Sequence, residues 1–189
     1  MPQQLQPSSL PPALQRVALT LRLVGRIAFW IQLVLAIISG AILLVYGAFG
    51  NRGTQESVQG IGFGIFFALC GLVTLGVGIY FAFRYIRLAQ NLLVTGSTER
   101  PSKADTLQAI RFGLIFNLLG MLFTLVGAQA VIGIILGISF SQPTGPGLNV
   151  TQYGVNSFDL LVVQANINTI TAHFVGIVAS IWLYYQINR

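Results

Sequence analysis

The chain has 189 residues, of which 54% are hydrophobic and only 7% are charged, whereas about a quarter of an average soluble domain is charged. So little polar surface cannot cover a soluble fold of this length, and the composition therefore excludes an ordinary soluble domain. The net charge of +6 does not indicate nucleic-acid binding, because the ten basic residues lie at the ends of apolar runs rather than beside aromatic platforms.

A polar tail and four apolar segments follow one another along the chain. Residues 1–10 are rich in Pro, Gln and Ser, a composition that predicts a disordered tail. An α-helix needs about 20 apolar residues to cross the hydrocarbon core of a bilayer, and four segments meet this requirement. They are residues 27–49, 61–83, 112–139 and 160–182. We therefore predict an all-α integral membrane protein in which residues 11–189 form one four-helix bundle in the lipid bilayer.

Basic and aromatic residues predict the orientation of the four spans. Nine of the ten basic residues lie near the two termini or between the second and third spans, and only Arg52 lies in an opposite connection. This asymmetry predicts that both termini are cytoplasmic. Six aromatic side chains near the same side are expected to form an interfacial belt: Trp30, Tyr80, Tyr85, Trp182, Tyr184 and Tyr185. Ser102 followed by Asp105 resembles a capping box and predicts the start of the third helix.

Each span carries a stripe of small or polar residues at steps of three, four or seven positions. In lipid the hydrophobic effect does not drive helices together, so small residues and interhelical hydrogen bonds must hold them. We interpret the stripes as the seams of one compact bundle rather than the lining of a permanent pore. The polar members in the first three spans are Gln32, Ser39, Thr74, Asn117 and Thr124. The glycines expected at the helix contacts are Gly64, Gly71, Gly78, Gly113, Gly120, Gly127 and Gly176.

The fourth span has polar residues on two opposite faces. Asn166, Thr169 and His173 lie on one face, and Gln164, Asn168 and Thr171 lie on the other. One bundle interior cannot satisfy both faces, and uncompensated polar groups in hydrocarbon are costly. The second face therefore needs a partner subunit, a water-filled cavity or a position near the membrane interface.

Asp159, Asn166 and His173 follow each other at seven-residue steps and are candidates for an ion or proton path. A continuous helix separates Asp159 from His173 by about 21 Å, so the two cannot hold one metal ion. The alternative interpretation is that His173 is a neutral, hydrogen-bonded residue of a helix interface. The sequence does not identify the ligands of any metal site.

Residues that carry enzymatic chemistry are few. The chain has one His, one Cys and four carboxylates, and it contains neither a nucleophile elbow nor a phosphate-binding loop. We therefore expect no enzymatic activity and no cofactor. Cys70 is the single cysteine, so an intramolecular disulfide is excluded.

Three stretches of the sequence resemble a known family. They are PPALQRVALTLRLVGRIAFWIQLVL at residues 11–35, RPSKADT at residues 100–106 and NTITAHFVGIVASIWL at residues 168–183. The resemblance is to small four-span membrane proteins of cyanobacteria and chloroplasts, in bacteria largely a domain of unknown function. It covers nearly the whole chain from Pro11 onward. The family includes a chloroplast inner-envelope protein described both as a Tic-type translocon component and as an iron permease.

The resemblance implies transport, and the residues leave two functions open. The first is a small permease for a cation such as iron, or a translocon-associated component, with Asp159 attracting the cation and His173, Asn166 and Asn168 along its path. The second is a non-transporting subunit or assembly factor of a photosynthetic membrane complex. Either requires the lipid bilayer and a homo-oligomer or larger membrane complex. The residues before the first span lack the Ser and Arg content of a transit peptide, so a cyanobacterial plasma or thylakoid membrane is expected.

Overall fold

The computed structural model describes residues 11–49, 61–93, 101–141 and 157–188. This part of the chain forms four α-helices, α1 (Pro12–Phe49), α2 (Ile61–Leu93), α3 (Lys103–Ser141) and α4 (Ser157–Asn188). All four helices are long and apolar enough to cross a membrane. The predicted all-α architecture, with four helices that are long and apolar enough to cross a membrane, is therefore confirmed. The predicted disordered tail, residues 1–10, lies outside the described residues.

Each helix extends beyond its predicted span, and the four extensions meet at the same end of the bundle. We call this the basic end, because the extensions carry Arg22, Arg84 and Arg111. Leu21, Leu88, Ile110 and Leu183 belong to one buried apolar cluster there. The extra turns therefore continue the packed core of the bundle past the length that the hydrocarbon requires.

The start of α3 has the predicted capping box. The backbone N–H of Asp105 donates to Ser102 Oγ at 3.1 Å, and the backbone N–H of Ser102 donates to Asp105 Oδ2 at 3.2 Å. Two donors that the first turn leaves without helical partners are satisfied in this reciprocal way. The cap fixes where α3 begins, directly after the connection from α2.

The four helices pack in a closed ring. α1 packs against α2 and α4, α3 packs against α2 and α4, and α2 also meets α4 across the diagonal. A second apolar cluster, with Tyr46, Val131 and Val162, lies at the end opposite the basic end. Large apolar side chains such as Leu44 and Val73 are exposed around the outside. This arrangement suits a bundle whose outer surface faces lipid.

The prediction of an interfacial aromatic belt is wrong for Tyr85. The other five aromatic side chains of the proposed belt are exposed, whereas Tyr85 is buried. Its hydroxyl lies 3.3 Å from Ser180 Oγ. Gly113 provides the space, because a methyl group added there would overlap the Tyr85 hydroxyl. A tyrosine whose hydroxyl has a hydrogen-bond partner inside the bundle can be a buried core residue.

Candidate functional site

The polar stripes point into the bundle. The polar members from α1, α3 and α4 are buried, namely Gln32, Ser39, Asn117, Thr124, Asn166, Thr169, His173 and Ser180, and Thr74 of α2 is half-buried. They lie in the same interior as the predicted packing glycines. The candidate path residues Asn166, Thr169 and His173 are therefore placed on the inner face of α4.

One polar group from each helix meets near the middle of the bundle. We call this set the central layer: Gln32 of α1, the Gly71 carbonyl of α2, Asn117 of α3 and His173 of α4. Gln32 Nε2 donates to Asn117 Oδ1 at 2.9 Å and lies 3.2 Å from the carbonyl of Ala172. His173 Nδ1 lies 3.2 Å from Asn117 Oδ1, and its Nε2 lies 3.1 Å from the Gly71 carbonyl. The layer links all four helices.

Glycines create the space that the central layer occupies. A methyl group added at Gly120 would overlap the His173 ring, and one added at Gly176 would overlap the amides of Asn117 and Gln32. At Gly78 it would lie 2.8 Å from Asn117 Oδ1. These glycines therefore accommodate polar side chains from neighbouring helices, a purpose that their spacing in the sequence does not reveal.

The remaining predicted packing glycines have two kinds of environment. Gly64 and Gly127 bring two backbones together, since a Cβ on Gly127 would lie 2.9 Å from the Gly64 carbonyl oxygen. Gly71 instead makes room for the Thr124 side chain, as Gly113 does for Tyr85. Close approach of helix backbones accounts for only part of the glycine pattern.

A second polar level lies at the contact between α1 and α4, where Gln32 of the central layer also meets Ala172. Ser39 Oγ donates to the carbonyl of Ala165 at 3.0 Å. Ser39 follows Gln32 by seven residues, and Ala165 precedes Ala172 by seven, so the two antiparallel helices repeat the same contact. The levels are about 10 Å apart along the helix axes. Asn166 and Thr169 belong to this level, where their side chains donate to carbonyls of α4 at 3.1 and 2.9 Å.

Two buried side-chain oxygen atoms of the bundle interior have no hydrogen-bond partner in the described structure. They are Gln32 Oε1, in the central layer, and Asn166 Oδ1, in the second level. Both residues are essentially inaccessible. Buried polar atoms are normally paired, so an unpaired carbonyl oxygen marks a position where an additional donor is stabilising.

The other polar face of α4 is outside the bundle. Gln164 and Thr171 are exposed, and Asn168 is half-buried. Gln164 Nε2 donates to Asn168 Oδ1 at 3.1 Å, and Thr171 Oγ1 donates to the carbonyl of Ile167 at 2.9 Å. The structure therefore separates Asn168 from His173 and Asn166, with which the path hypothesis groups it.

Asp159 lies apart from the central layer. It is half-buried in the first turn of α4, two seven-residue steps from His173. No group of three or more His, Cys, Asp or Glu side chains that could hold a metal ion occurs within the described helices. Cys70 is a free, half-buried thiol on α2. The chemistry available in the described interior is hydrogen bonding by amides, hydroxyls, backbone carbonyls and one imidazole.

Comparisons with known proteins identify a family and a plant relative. The family described as "Protein of unknown function (DUF3611)" matches residues 11–188. The Arabidopsis thaliana protein named "Protein TIC 21, chloroplastic" is 29% identical over 176 residues, which cover 90% of this chain and 57% of that relative. The chain thus spans little more than half the length of this relative. No solved structure matches the chain.

Proposed function

The chain belongs to the DUF3611 family, and we propose that it is a small membrane permease for a cation such as iron. The path follows the inner face of α4, from Asp159 past Asn166 to the central layer. The chain catalyses no chemical reaction in this proposal.

The unpaired oxygens Gln32 Oε1 and Asn166 Oδ1 carry the proposal. An unsatisfied polar atom buried in a protein costs about 1–3 kcal/mol, so both positions favour water molecules as hydrogen-bond donors. They lie at two levels of the bundle interior, about 10 Å apart along the helix axes, where the two amide oxygens would replace part of the hydration shell of an ion. Asp159, the acidic residue in the first turn of α4, provides the negative charge that attracts a cation to this end.

The permease works as a homo-oligomer or within a larger membrane complex in this proposal. Alternating-access transporters are generally built from two repeats that move against each other, and one four-helix bundle is small for that purpose. The resemblance to a chloroplast envelope family with an iron permease supports the choice of iron as the first substrate to test.

Uptake of ferrous iron into proteoliposomes tests this function. Vesicles containing the protein are compared with empty vesicles and with vesicles containing Asp159→Asn or His173→Ala. We expect protein-dependent uptake that falls at least several-fold in both variants at equal protein content. A size-exclusion profile establishes that each variant is folded. Uptake by folded wild-type protein equal to that of empty vesicles would contradict the proposal.

The outer polar face of α4 supports a second candidate function. Gln164 and Thr171 are exposed in a bundle whose surroundings are lipid, and a polar surface there suits contact with another protein. The chain would then be a translocon-associated component, or a subunit or assembly factor of a photosynthetic membrane complex. The name of the Arabidopsis relative, "Protein TIC 21, chloroplastic", favours examining this function in parallel.

Purification from native membranes tests the second candidate. We expect wild-type protein to elute with a partner, and the double variant Gln164→Leu, Thr171→Val to elute without it. The matched control is Leu122→Ala, a change at an exposed apolar position of α3. Equal recovery of the partner with the double variant would exclude this face as the docking surface.

We further propose that the basic end of the bundle lies on the cytoplasmic side of a cyanobacterial plasma or thylakoid membrane. The excess of Arg and Lys residues at this end supports the orientation. Reporter fusions at Arg189 test it, because a reporter that is active only outside the cytoplasm should then remain inactive. Activity of that reporter would reverse the orientation.

A further inference from the structure

His173 is buried with an oxygen atom next to each of its two ring nitrogens. His173 is the only histidine of the chain and is inaccessible in the bundle. Both ring nitrogens face oxygen atoms, Nδ1 at 3.2 Å from Asn117 Oδ1 and Nε2 at 3.1 Å from the Gly71 carbonyl. A backbone carbonyl can only accept a hydrogen bond, so Nε2 must carry a proton to bond there.

The other hydrogen bonds fix which atom of Asn117 faces the ring. Asn117 Nδ2 donates to the Gly113 carbonyl at 2.8 Å, so turning the amide would place two oxygens against each other. Gln32 Nε2 likewise contacts two oxygens, those of Asn117 and Ala172, which fixes its own amide. The atom that faces His173 Nδ1 is therefore an acceptor, and Nδ1 must also carry a proton to bond with it.

A count of donors then favours the charged ring. A neutral imidazole has one N–H, whereas an imidazolium has two. In the neutral state one nitrogen lone pair would point at an oxygen 3.1 or 3.2 Å away, a repulsive contact. The central layer in this arrangement therefore has a place for one additional proton.

Burial acts in the opposite direction, because a charge in a low-dielectric interior is costly unless it is compensated. The ring contacts Gly71 of α2 and Asn117 of α3, Thr74 and Gly120 lie near it, and Gln32 of α1 donates to the same Asn117 oxygen. None of these groups is charged or titratable. The charged ring would therefore be stabilised by the dipoles of its two acceptors, the Gly71 carbonyl and Asn117 Oδ1.

Titratable side chains elsewhere on the packed helices have other surroundings. Cys70 is half-buried on α2, and the Tyr85 hydroxyl contacts Ser180, seven residues beyond His173 on α4. Asp159 lies fourteen residues before His173. Protonation of the ring is therefore set by the balance between its two acceptors and its burial.

We propose that His173 binds and releases a proton inside the membrane, and that its proton holds α4 against α2 and α3. Loss of the proton would make one of the two contacts repulsive, so that α4 moves away from Gly71 or Asn117. The proposal rests on the central layer alone and does not depend on iron transport. If the chain is a cation permease, the proton on His173 would be the coupling ion.

Nitrogen-15 NMR of histidine-labelled protein in lipid nanodiscs tests the proposal directly. Because the chain has one histidine, its two ring nitrogens give the only labelled side-chain signals. We expect both nitrogens to be protonated in acidic buffer and one to lose its proton as the pH rises, within a range of about pH 5–8. A single neutral tautomer throughout this range would overturn the proposal.

Asn117→Asp and Asn168→Asp form a matched pair that sharpens the test. The first places a carboxylate beside His173 Nδ1, and the second places one on the outer face of α4. We expect Asn117→Asp to raise the pH of half-protonation by at least about one unit and Asn168→Asp to leave it unchanged. Equal shifts in the two variants would show that the central layer does not hold the proton. Should Asn117→Asp fail to fold, the wild-type titration decides.

Discussion

The two polar faces of α4 satisfy their polar groups in different ways. On the inner face, His173 contacts groups of α2 and α3, and the carbonyls of Ala172 and Ala165 accept hydrogen bonds from α1. On the outer face, the described residues that accept hydrogen bonds from Gln164 and Thr171 belong to α4 itself. The inner face can therefore specify how the helices are arranged, whereas the outer face is free to meet a partner. Similar residue types thus have different uses on one helix.

The largest effect on this comparison is expected from Asn117→Leu. It removes the acceptor shared by Gln32 and His173 and the bond to Gly113. At about 0.6–1.7 kcal/mol for an interhelical hydrogen bond in a membrane, the free energy of unfolding should fall by about 2–4 kcal/mol. The matched change Asn168→Leu on the outer face should cost less than about 1 kcal/mol. Unfolding in bicelles measures both, and equal losses would remove the distinction between the faces.

Gly120→Ala is expected to have the next largest effect. Its methyl group would overlap the His173 ring and Thr74 Oγ1. Overpacking of this kind costs about 1–3 kcal/mol. Gly133→Ala provides a control on the same helix, because open space surrounds that position. The control should be neutral or stabilise the helix by up to about 1 kcal/mol. If both variants unfold alike, the glycines do not accommodate the central layer.

Ser39→Ala should have the smallest effect of the three substitutions inside the bundle. It removes one hydrogen bond between α1 and α4, at the second polar level. The expected loss is about 0.6 kcal/mol in the free energy of unfolding. Thr171→Val, which removes a hydrogen bond within α4, should change the stability by less than this. The same unfolding measurement ranks the two variants, and a larger loss for Thr171→Val would reverse the comparison.

The sequence predicted the architecture because span length and small-residue spacing follow from the properties of the bilayer. It also predicted the capping box of Ser102 and Asp105, which is a local interaction. It did not predict the burial of Tyr85, because the neighbouring Arg84 and Arg87 indicate that the residue is close to the interface but not which face of α2 its ring occupies. The partners of Gln32 could not be predicted either, since they depend on the register between antiparallel helices. The unpaired oxygens follow from that register.

The central claim is that the inner face of α4 forms the path and the outer face does not. Asn166→Leu and Gln164→Leu test it in one ferrous-iron uptake experiment, since each replaces an amide by an apolar side chain on one face. We predict that Asn166→Leu is folded, because it removes an unpaired buried oxygen, and that it loses uptake. Gln164→Leu should transport like wild type. Normal uptake by folded Asn166→Leu, or equal loss in both variants, would contradict the account.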